Sequence, residues 1–330
     1  MIHSWLGVAV FFGMLLWVIR PPQTPPEPVK YAELLMDTLV SVSVFAPPDV
    51  ASSGIASAFE EMRKLDRMAS FHKADSELSR LNRDRRLVPT ASFALILEAS
   101  SQSATLSNGV FDPSFAVLHK AYGFYDSKGR VPPPDEIASI LPLIGWASHV
   151  ASQAGEVALA SGTLIDLGGI AGGFAIKAAI EAFHAASCTS FFIDDGGDLW
   201  MEGPKPNREP WRVGVRDPRT GGFLARIETS VPLAISTSGD YERFVEVDGR
   251  KYGHIMIPAT GKPAEFYRSV TIIASTPIDA DRLSTTLFAM SPEKAREFAI
   301  QRGLAALFLP ASGTTWMTPA GESWFREVVP

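Results

Sequence analysis

The sequence contains little cysteine and no excess of positive charge. Its 330 residues include one cysteine, so no internal disulfide bond can form. Lysine and arginine number 30 against 36 aspartate and glutamate residues, and the net charge of −6 argues against a broad nucleic-acid-binding surface. Internal repeats are missing too. With 46% hydrophobic residues, the chain has enough apolar material for one large domain or two packed lobes.

Several familiar catalytic motifs are also missing. The sequence has no G-x-S-x-G nucleophile motif, no P-loop and no paired cysteines. Enzyme classes that depend on these motifs are therefore not indicated. The histidines that lack the spacing of metal ligands are His72, His119, His149 and His184.

One long apolar run stands near the N-terminus. Residues Trp5 to Ile19 are uninterrupted apolar sequence, followed by Arg20 and the proline-rich PPQTPPEPVK. As a helix this run spans about 22 Å, less than a hydrocarbon core of roughly 30 Å. That length fits a signal-peptide core or a short membrane anchor. No small-residue cleavage pattern and no cysteine for lipid attachment accompany it. We therefore predict an uncleaved anchor at residues 1–20, a stiff linker at 21–30 and a folded domain at 31–330.

Periodic patterns in the rest of the chain predict both helices and strands. Strict alternation in LVSVSVF predicts a strand, whereas the apolar face of 47–70 predicts a helix. Asp248-Gly249 predicts the turn of a hairpin within 241–256. The absence of a steady βαβ rhythm favours an α+β fold. Further predictions are helices at 91–107, 174–188, 277–290 and 292–302, a helix start at 132–136, and strands at 163–165, 191–200, 211–215, 225–228, 232–237, 270–275 and 305–309.

The stretch IDLGGIAGGFA at 165–175 places four glycines between a strand-like run and a helix-like run. A helix that starts after such a turn exposes unpaired N–H groups and the positive end of its dipole, which suit a phosphate or pyrophosphate. Glycine lets the backbone come close to that group. The alternative is an ordinary turn in which glycine permits tight packing. A glycine cluster alone favours this alternative.

Asp281 and Thr285 stand four residues apart on a predicted helix, so their oxygens share one face. A carboxylate and a hydroxyl so placed could hold a hard cation such as Mg²⁺, which prefers oxygen ligands. The alternative is a charge near a helix N-terminus and a threonine bonded to its own helix. The pair alone favours the alternative, and the nearby glycine turn improves the metal interpretation.

Two other polar groups have a functional and a structural interpretation. His254 follows a predicted hairpin and could serve as a general base near neutral pH, or could be a half-buried histidine with structural hydrogen bonds. Asp194, Asp195 and Asp198 could bind Ca²⁺. The Gly196-Gly197 pair between these aspartates is explained more simply as a turn between strands.

Eight short motifs follow one another along the chain: MDT at 36–38, SELSRLN at 76–82, GVFDPS at 109–114, DLGGIAGGFA at 166–175, GGD at 196–198, SGDYERF at 238–244, GHIMIPATGKP at 253–263 and ADRLSTTLF at 280–288. This ordered set resembles the ApbE-type FAD:protein FMN transferases, also called flavinyltransferases. The resemblance extends from Met36 to about Leu309, and several motifs in one order are far more specific than any of them alone.

The resemblance implies a Mg²⁺-dependent enzyme with a T-fold-like α+β architecture. Such an enzyme splits the pyrophosphate of FAD, attaches FMN to a threonine or serine of a target protein and releases AMP. By the same resemblance, His254 takes the proton from the attacking hydroxyl and Asp166 contacts FAD. The implied metal ligands are the Gly169 carbonyl, Asp281 and Thr285. The other residues implied at the FAD site are Met36, Phe71, Val110, Phe111, Asp112, Gly172 and Ile255.

Some positions depart from the family pattern. Asp37 stands where the family usually has glycine, Gly172 where it often has lysine, and Ile257 where it has aspartate. Loss of the lysine removes one possible charge from the FAD phosphates. Phe71 replaces a frequent tyrosine and Lys177 an aspartate. The principal metal ligands and the histidine are retained, so we expect activity.

Two other functions stay open. A FAD pyrophosphatase would give FMN and AMP, because water can replace the acceptor hydroxyl. A flavin-binding or carrier protein would keep FAD intact. The resemblance implies a flavoprotein acceptor, such as a membrane respiratory subunit, and no nucleic acid. The single charge after the apolar run would leave the domain in the cytoplasm, but family members work outside it, so we predict an inner-membrane anchor with the domain on the periplasmic side.

Overall fold

The computed structural model describes residues 27–126 and 128–329. Residues 1–20, where the sequence predicts a membrane anchor, and most of the predicted linker at 21–30 lie outside the described residues. Within 27–126 and 128–329, no helix has the length and apolar character needed to cross a bilayer. The first strand starts at Val29, so the last two residues of the predicted linker belong to the folded domain.

The described residues form the α+β fold that the sequence predicts. The helices are α1 (Pro48–Ala69), α2 (Glu77–Asp84), α3 (Ala91–Leu106), α4 (Ala116–Tyr122), α5 (Pro134–Ile140), α6 (Trp146–His149), α7 (Ala171–Ala185), α8 (Pro277–Ala289) and α9 (Pro292–Gln301). The strands are β1 (Val29–Leu35), β2 (Thr38–Val44), β3 (Arg86–Leu87), β4 (Val150–Gln153), β5 (Glu156–Leu159), β6 (Phe191–Asp195), β7 (Asp198–Glu202), β8 (Trp211–Arg216), β9 (Phe223–Thr229), β10 (Leu233–Gly239), β11 (Phe244–Val247), β12 (Arg250–Gly253), β13 (Met256–Ile257), β14 (Lys262–Pro263), β15 (Tyr267–Ala274), β16 (Ala305–Pro310), β17 (Trp316–Met317) and β18 (Phe325–Arg326).

The main sheet has eight strands in the order β1-β2-β6-β7-β10-β15-β16-β17, and all neighbours are antiparallel. Its first hairpin turns at Met36 and Asp37, whose φ angles are 51° and 63°. Two positive φ angles are typical of the hairpin turn that matches the twist of the strands. Glycine adopts this conformation without steric cost, which explains the glycine that the family usually has in place of Asp37.

Alternate side chains of the main sheet pack into different cores. Ala306 and Phe308 of β16 pack with residues of α8 and α9. Leu307 and Leu309 point to the opposite face and pack against the small sheet β18-β9-β8. Since successive side chains of a strand face opposite sides, the apolar run at 305–309 covers both faces at once. The sheet is therefore buried between helices and a second sheet.

Helix α7 packs against both α1 and α8, and glycines allow the close approach. A Cβ atom on Gly54 of α1 would lie 2.7 Å from Cys188 Sγ, and one on Gly173 of α7 would lie 2.6 Å from Ile278 Cα of α8. Both distances are too short for real atoms, so these positions depend on glycine. The packing places the start of α7 directly beside the first turns of α8.

Most predicted elements are confirmed to within a few residues, including the hairpin at Asp248-Gly249, formed by β11 and β12. The predicted strand at 163–165 is wrong, because Leu164 forms only an isolated bridge with Phe115. The predicted strand at 191–200 is a hairpin of two strands, β6 and β7. Strand β1 and helix α4 have no counterpart among the predictions, since β1 directly follows the proline-rich stretch and α4 has only seven residues.

We expect Gly173→Ala to destabilise the fold. The new Cβ would meet the backbone of Pro277 and Ile278, which cannot move aside as a side chain can. Overpacking of this kind costs roughly 1–3 kcal/mol, more than the helix propensity that alanine adds. The free energy of unfolding, measured by urea denaturation, should fall by about that amount. Gly222→Ala is the control, because its Cβ meets only the Thr220 hydroxyl at an ordinary 3.4 Å. Equal stability of the two variants would contradict the packing argument.

Candidate active site

A cavity of about 1770 Å³ lies beside the start of α7. Its wall includes the residues between β5 and α7, one face of α8, the β6–β7 turn and the segment between β12 and β13. All residues that the sequence assigns to the site line this one cavity, although they come from distant parts of the chain. They are Met36, Phe71, Val110, Phe111, Asp112, Asp166, Gly169, Gly172, His254, Ile255, Asp281 and Thr285. Their individual roles stay predictions.

The segment that leads to Asp166 is held by side chains rather than by a strand ladder. The Asn82 amide accepts a hydrogen bond from the Ile165 N–H and donates one to the Ile165 carbonyl, both at 2.8 Å. The Asp166 N–H donates to the Pro113 carbonyl at 2.8 Å. Asn82 thus imitates a neighbouring peptide unit and satisfies a buried backbone. These bonds deliver Asp166 to the cavity wall.

Residues 166–173, which we call the glycine turn, depend on glycine for close approach and not for a left-handed backbone. The glycines of this turn have φ angles outside the positive range. A Cβ on Gly169 would lie 3.2 Å from Thr285 Cγ2, and one on Gly172 would lie 3.3 Å from Asp281 Oδ2. The tight-packing interpretation therefore holds for Gly173, while Gly169 and Gly172 bring the backbone close to the predicted metal ligands.

The N-terminus of α7 is partly satisfied within the protein. The Gly173 N–H donates to Asp281 Oδ2 at 2.8 Å, and the Ala171 N–H donates to the Leu167 carbonyl at 2.9 Å. The sequence predicts a helix start with unpaired N–H groups that could bind a phosphate. In the structure some of these N–H groups are already hydrogen-bonded within the protein. The carboxylate of Asp281 already occupies part of this helix end, and caps α7 as an N-terminal acidic group does.

Asp281 and Thr285 lie on one face of α8, as their spacing predicts, and both line the cavity. The Asp281 carbonyl accepts a hydrogen bond from the Ser284 hydroxyl at 2.9 Å. Ser284 Oγ also lies 2.9 Å from Ser236 Oγ and from Ser238 Oγ of β10. This buried hydroxyl cluster fixes the rotation of α8 on the sheet. The neighbouring Asp281 and Thr285 are held toward the cavity as a result.

Buried carboxyl groups are concentrated in the cavity. Burial, together with the charge of Asp198, raises the pKa of Asp195 to about 8 and that of Glu242 to about 8. Burial also raises the pKa of Asp198 to about 6. Burial and the charge of Asp198 raise the pKa of Asp281 well above its usual range. These carboxyl groups disfavour each other's ionisation, and a bound cation would relieve their repulsion.

The Ca²⁺ interpretation of the three clustered aspartates finds no support. Within 27–126 and 128–329, no group of three or more His, Cys, Asp or Glu side chains is placed to hold a metal ion. Asp194 Oδ1 instead accepts a hydrogen bond from the Gly197 N–H at 2.9 Å, inside the β6–β7 turn. The simpler interpretation, a turn between two strands, is confirmed.

The imidazole of His254 is oriented by a backbone carbonyl. Its Nδ1 lies 3.1 Å from the Arg243 carbonyl, and because a carbonyl only accepts, Nδ1 carries the hydrogen. Its Nε2 therefore has the free lone pair that a base needs. His119 Nε2 lies 2.6 Å from the His254 carbonyl, so the side chain of His119 holds the backbone of the same residue. Burial, then the neighbouring His119, lowers the pKa of His254 to about 3, so the imidazole is neutral at physiological pH.

An aromatic pair occupies part of the cavity. The rings of Phe71 and Tyr125 are stacked, with centroids 3.8 Å apart and planes 12° from parallel. The Tyr125 hydroxyl donates to Asp166 Oδ2 at 2.6 Å. Burial and the negative charge of Asp166 raise the pKa of Tyr125 well above its usual range, so its hydroxyl keeps its proton.

The carboxylate of Asp112 is engaged within the fold. It accepts hydrogen bonds from the N–H and hydroxyl of Ser114, at 2.9 Å and 2.6 Å, and from the Trp146 N–H at 2.8 Å. Asp112 is also non-helical, as expected for a residue before proline. Its contribution to the site is therefore chiefly the shape of the loop that carries Val110 and Phe111.

Sequence reasoning missed four residues of the site and its supports: Asn82, His119, Tyr125 and Glu242. Asn82 and Glu242 lie inside the motifs SELSRLN and SGDYERF, so the motifs contained the signal although no role was assigned to them. His119 lacks the sequence spacing of a metal ligand, and in the structure its partner is the backbone carbonyl of His254. A search for metal ligands therefore could not identify it. Tyr125 lies outside every motif.

Comparison with known proteins identifies related chains. A family model described as the ApbE family matches residues 36–308. The FAD:protein FMN transferase of Treponema pallidum is 32% identical, over 84% of this chain and 83% of that protein. The FAD:protein FMN transferase of Escherichia coli strain K12 is 28% identical, over 78% of each chain.

Solved structures show the same architecture. The ApbE protein of Thermotoga maritima superimposes with a TM-score of 0.86 at 30% identity, covering 91% of this chain and 100% of that one. The apo form of the flavinyl transferase ApbE of Pseudomonas stutzeri gives a TM-score of 0.82 at 28% identity, covering 93% and 99%. The mixed α+β fold described above is therefore the fold of these proteins.

The lowered pKa of His254 predicts a pH dependence of stability. A histidine whose pKa is lower in the folded than in the unfolded chain costs stability as the pH falls, here from about 6.5 toward 3. His254→Gln removes this linkage, so its free energy of unfolding should fall less steeply across that window, by at most about 1.4 kcal/mol per pH unit. Urea denaturation at pH 4 to 7 measures the slope. A His254→Gln slope equal to that of the original protein would contradict the assignment.

Proposed function

The chain belongs to the ApbE family, and we infer that it transfers FMN from FAD to a target protein. One observation carries the inference: the glycine turn, the Asp281–Thr285 face of α8 and His254 line the same cavity. Ordinary ligand pockets measure about 300–1,000 Å³, so a cavity of about 1770 Å³ has room for a dinucleotide and an acceptor segment.

We propose Mg²⁺ as the metal of this site. The Gly169 carbonyl, Asp281 carboxylate and Thr285 hydroxyl are oxygen donors, which suit this ion, and the glycine turn lies against the face of α8 that carries Asp281 and Thr285. The repulsion among the carboxyl groups of the cavity favours a cation in the same place. When bound there, Mg²⁺ would neutralise charge on the pyrophosphate oxygens.

A side chain of the protein can accept the proton that the acceptor hydroxyl loses. In the proposed transfer, a threonine or serine hydroxyl of the acceptor attacks the phosphorus of the FMN half. A new P–O bond forms, the P–O bond to AMP breaks, and AMP leaves with the bonding electrons. The neutral His254, whose Nε2 lone pair is left free by the Nδ1 hydrogen bond, takes the hydroxyl proton.

The remaining cavity residues bind and orient FAD in this proposal. Asp166 offers its carboxylate to a ring N–H of the dinucleotide, and Met36, Phe71 and Ile255 offer apolar contact. Phe71 is stacked with a ring of the protein itself, which shows that its face accepts a flat aromatic partner. Gly172, where a lysine would reach the phosphates, contributes only room.

Cellular placement is part of the same proposal. We propose that the apolar run within residues 1–20 anchors the protein in the inner membrane with the folded domain on the periplasmic side, and that the acceptor is a membrane respiratory flavoprotein. The length of the run and the proline-rich spacer support an anchor. The resemblance to ApbE-type enzymes, and not the flanking charge, supports the side of the membrane.

The transfer is tested by mass spectrometry of a candidate acceptor after incubation with the protein, FAD and Mg²⁺. We expect the acceptor to gain the mass of one FMN less one water, and AMP to appear in equal amount, and both to vanish when Mg²⁺ is chelated or in Asp281→Asn. FMN and AMP formed at full rate without acceptor, with no labelled protein, would identify a pyrophosphatase instead. Intact FAD that stays bound in the presence of Mg²⁺ would identify a carrier.

His254→Ala separates catalysis from binding. Removal of a general base lowers a rate by about 10²–10⁴-fold, so transfer should fall by that factor while FAD still binds. Fluorescence titration of FAD and initial rates of acceptor labelling give the two quantities. His149→Ala, outside the cavity, serves as the control and should keep the original rate. An unchanged rate in His254→Ala would remove the histidine from the mechanism.

A further inference from the structure

Tyr125 makes two interactions inside the cavity that a ring of FAD would also make. Its ring lies flat on Phe71, with centroids 3.8 Å apart, and its hydroxyl donates to Asp166 Oδ2 at 2.6 Å. The rings of His72 and His119 form T-shaped pairs with the ring of Tyr125, at centroid distances of 5.7 Å and 5.6 Å. A flat aromatic face and a hydrogen-bond donor toward a carboxylate are together the features of an isoalloxazine or adenine ring.

The backbone delivers Tyr125 to this place. Helix α4 ends at Gly123, which has a φ of 77°, and the Phe124 N–H donates back to the His119 carbonyl at 3.0 Å. The Arg130 N–H donates to the Tyr122 carbonyl at 3.0 Å. These bonds tie both ends of the segment to the helix end. The backbone next to Tyr125 is therefore held beside the cavity, and the ring reaches Phe71 and Asp166 from there.

Each oxygen of Asp166 accepts a hydrogen bond from the protein while Tyr125 is in place. Its Oδ1 accepts from the Gly168 N–H at 2.8 Å, and its Oδ2 accepts from the Tyr125 hydroxyl. The side chain that is predicted to contact FAD is thus engaged by the protein on both oxygens. The stacking face of Phe71 is engaged by the same tyrosine.

We propose that Tyr125 holds the place of one ring of FAD, and that FAD must displace it to reach Phe71 and Asp166. The proposal rests on the proposed function, in which FAD is the substrate bound in this cavity. It assigns to Tyr125 the control of the affinity of the protein for FAD. An internal competitor reduces the apparent affinity of a ligand by the fraction of molecules in which the site is closed. Weakening the competitor should therefore tighten the binding of FAD.

Two variants of the full chain test this in metal-free buffer, where FAD is not consumed. Tyr125→Phe removes the bond to Asp166 and keeps the stack, and Tyr125→Ala removes both. A hydrogen bond to a charged group has a net value that corresponds to roughly tenfold or more in binding. We therefore expect the dissociation constant of FAD to fall about tenfold in Tyr125→Phe and at least as far in Tyr125→Ala. Quenching of flavin fluorescence measures it.

Tyr31→Phe is the matched control, because the Tyr31 hydroxyl also donates to a carboxylate, Glu33 Oε2 at 2.9 Å, but outside the cavity. It should bind FAD as the original protein does. Separate titrations with AMP and FMN show which half of FAD gains from the change. Thermal unfolding shows whether Tyr125→Ala is folded. If it is not, the dissociation constant of FAD in Tyr125→Phe alone tests the proposal.

Weaker binding of FAD in both tyrosine variants would overturn the proposal and make Tyr125 a platform on which the ring stacks. Unchanged binding would overturn it as well. Acceptor labelling is measured in parallel. If the acceptor is labelled but the tyrosine variants bind FAD more weakly, the proposed transferase function stands and the proposed role of Tyr125 is wrong. If the variants bind FAD more tightly but no acceptor is labelled, the role of Tyr125 stands and the transferase function is wrong. If no variant binds FAD, both proposals fail.

Discussion

The hydrogen bond from the Gly173 N–H to Asp281 Oδ2 joins the two helices on which the site is built. It forms because Gly173 has no Cβ, so that α7 can lie against Pro277 and Ile278 at the start of α8. One carboxylate oxygen of Asp281 thereby caps α7. The same contact places the glycine turn, with Gly169, against Thr285. This close approach brings the backbone of the glycine turn beside the two side chains that we propose as metal ligands, Asp281 and Thr285.

Local patterns of the sequence were sufficient for most of the fold. Alternation predicted β2, a continuous apolar face predicted α1, and Asp248-Gly249 predicted a hairpin turn, because each signal lies within the element that it forms. The site followed from ordered motifs, and every residue assigned to it lines one cavity. The supporting contacts did not follow. Asn82 holds Ile165 across 83 residues, and no local pattern encodes such a partner.

The electrostatics of the cavity depend on the absence of a cationic side chain at Gly172 of α7. Gly172 faces Asp198 and Asp281, each 3.3 Å from the position of its absent Cβ. A lysine at this position, as the family often has, would add a positive charge among these groups. In this chain Arg243 is the cationic group that acts on the pKa of Asp195 and Glu242, and it only partly offsets burial. The high pKa values of the cavity carboxyl groups follow from this imbalance.

The carbonyl of Arg243 holds the imidazole of His254 at Nδ1, and the side chain of His119 holds the carbonyl of the same residue. These bonds fix the direction of the ring, while burial outweighs the charge of Asp166, which favours the imidazolium. In the proposed transfer, a ring of such low pKa would not store a proton between turnovers, and would pass it to solvent or to the departing nucleotide. The histidine of that proposal is a relay with a short dwell time, ready again before the next flavin arrives.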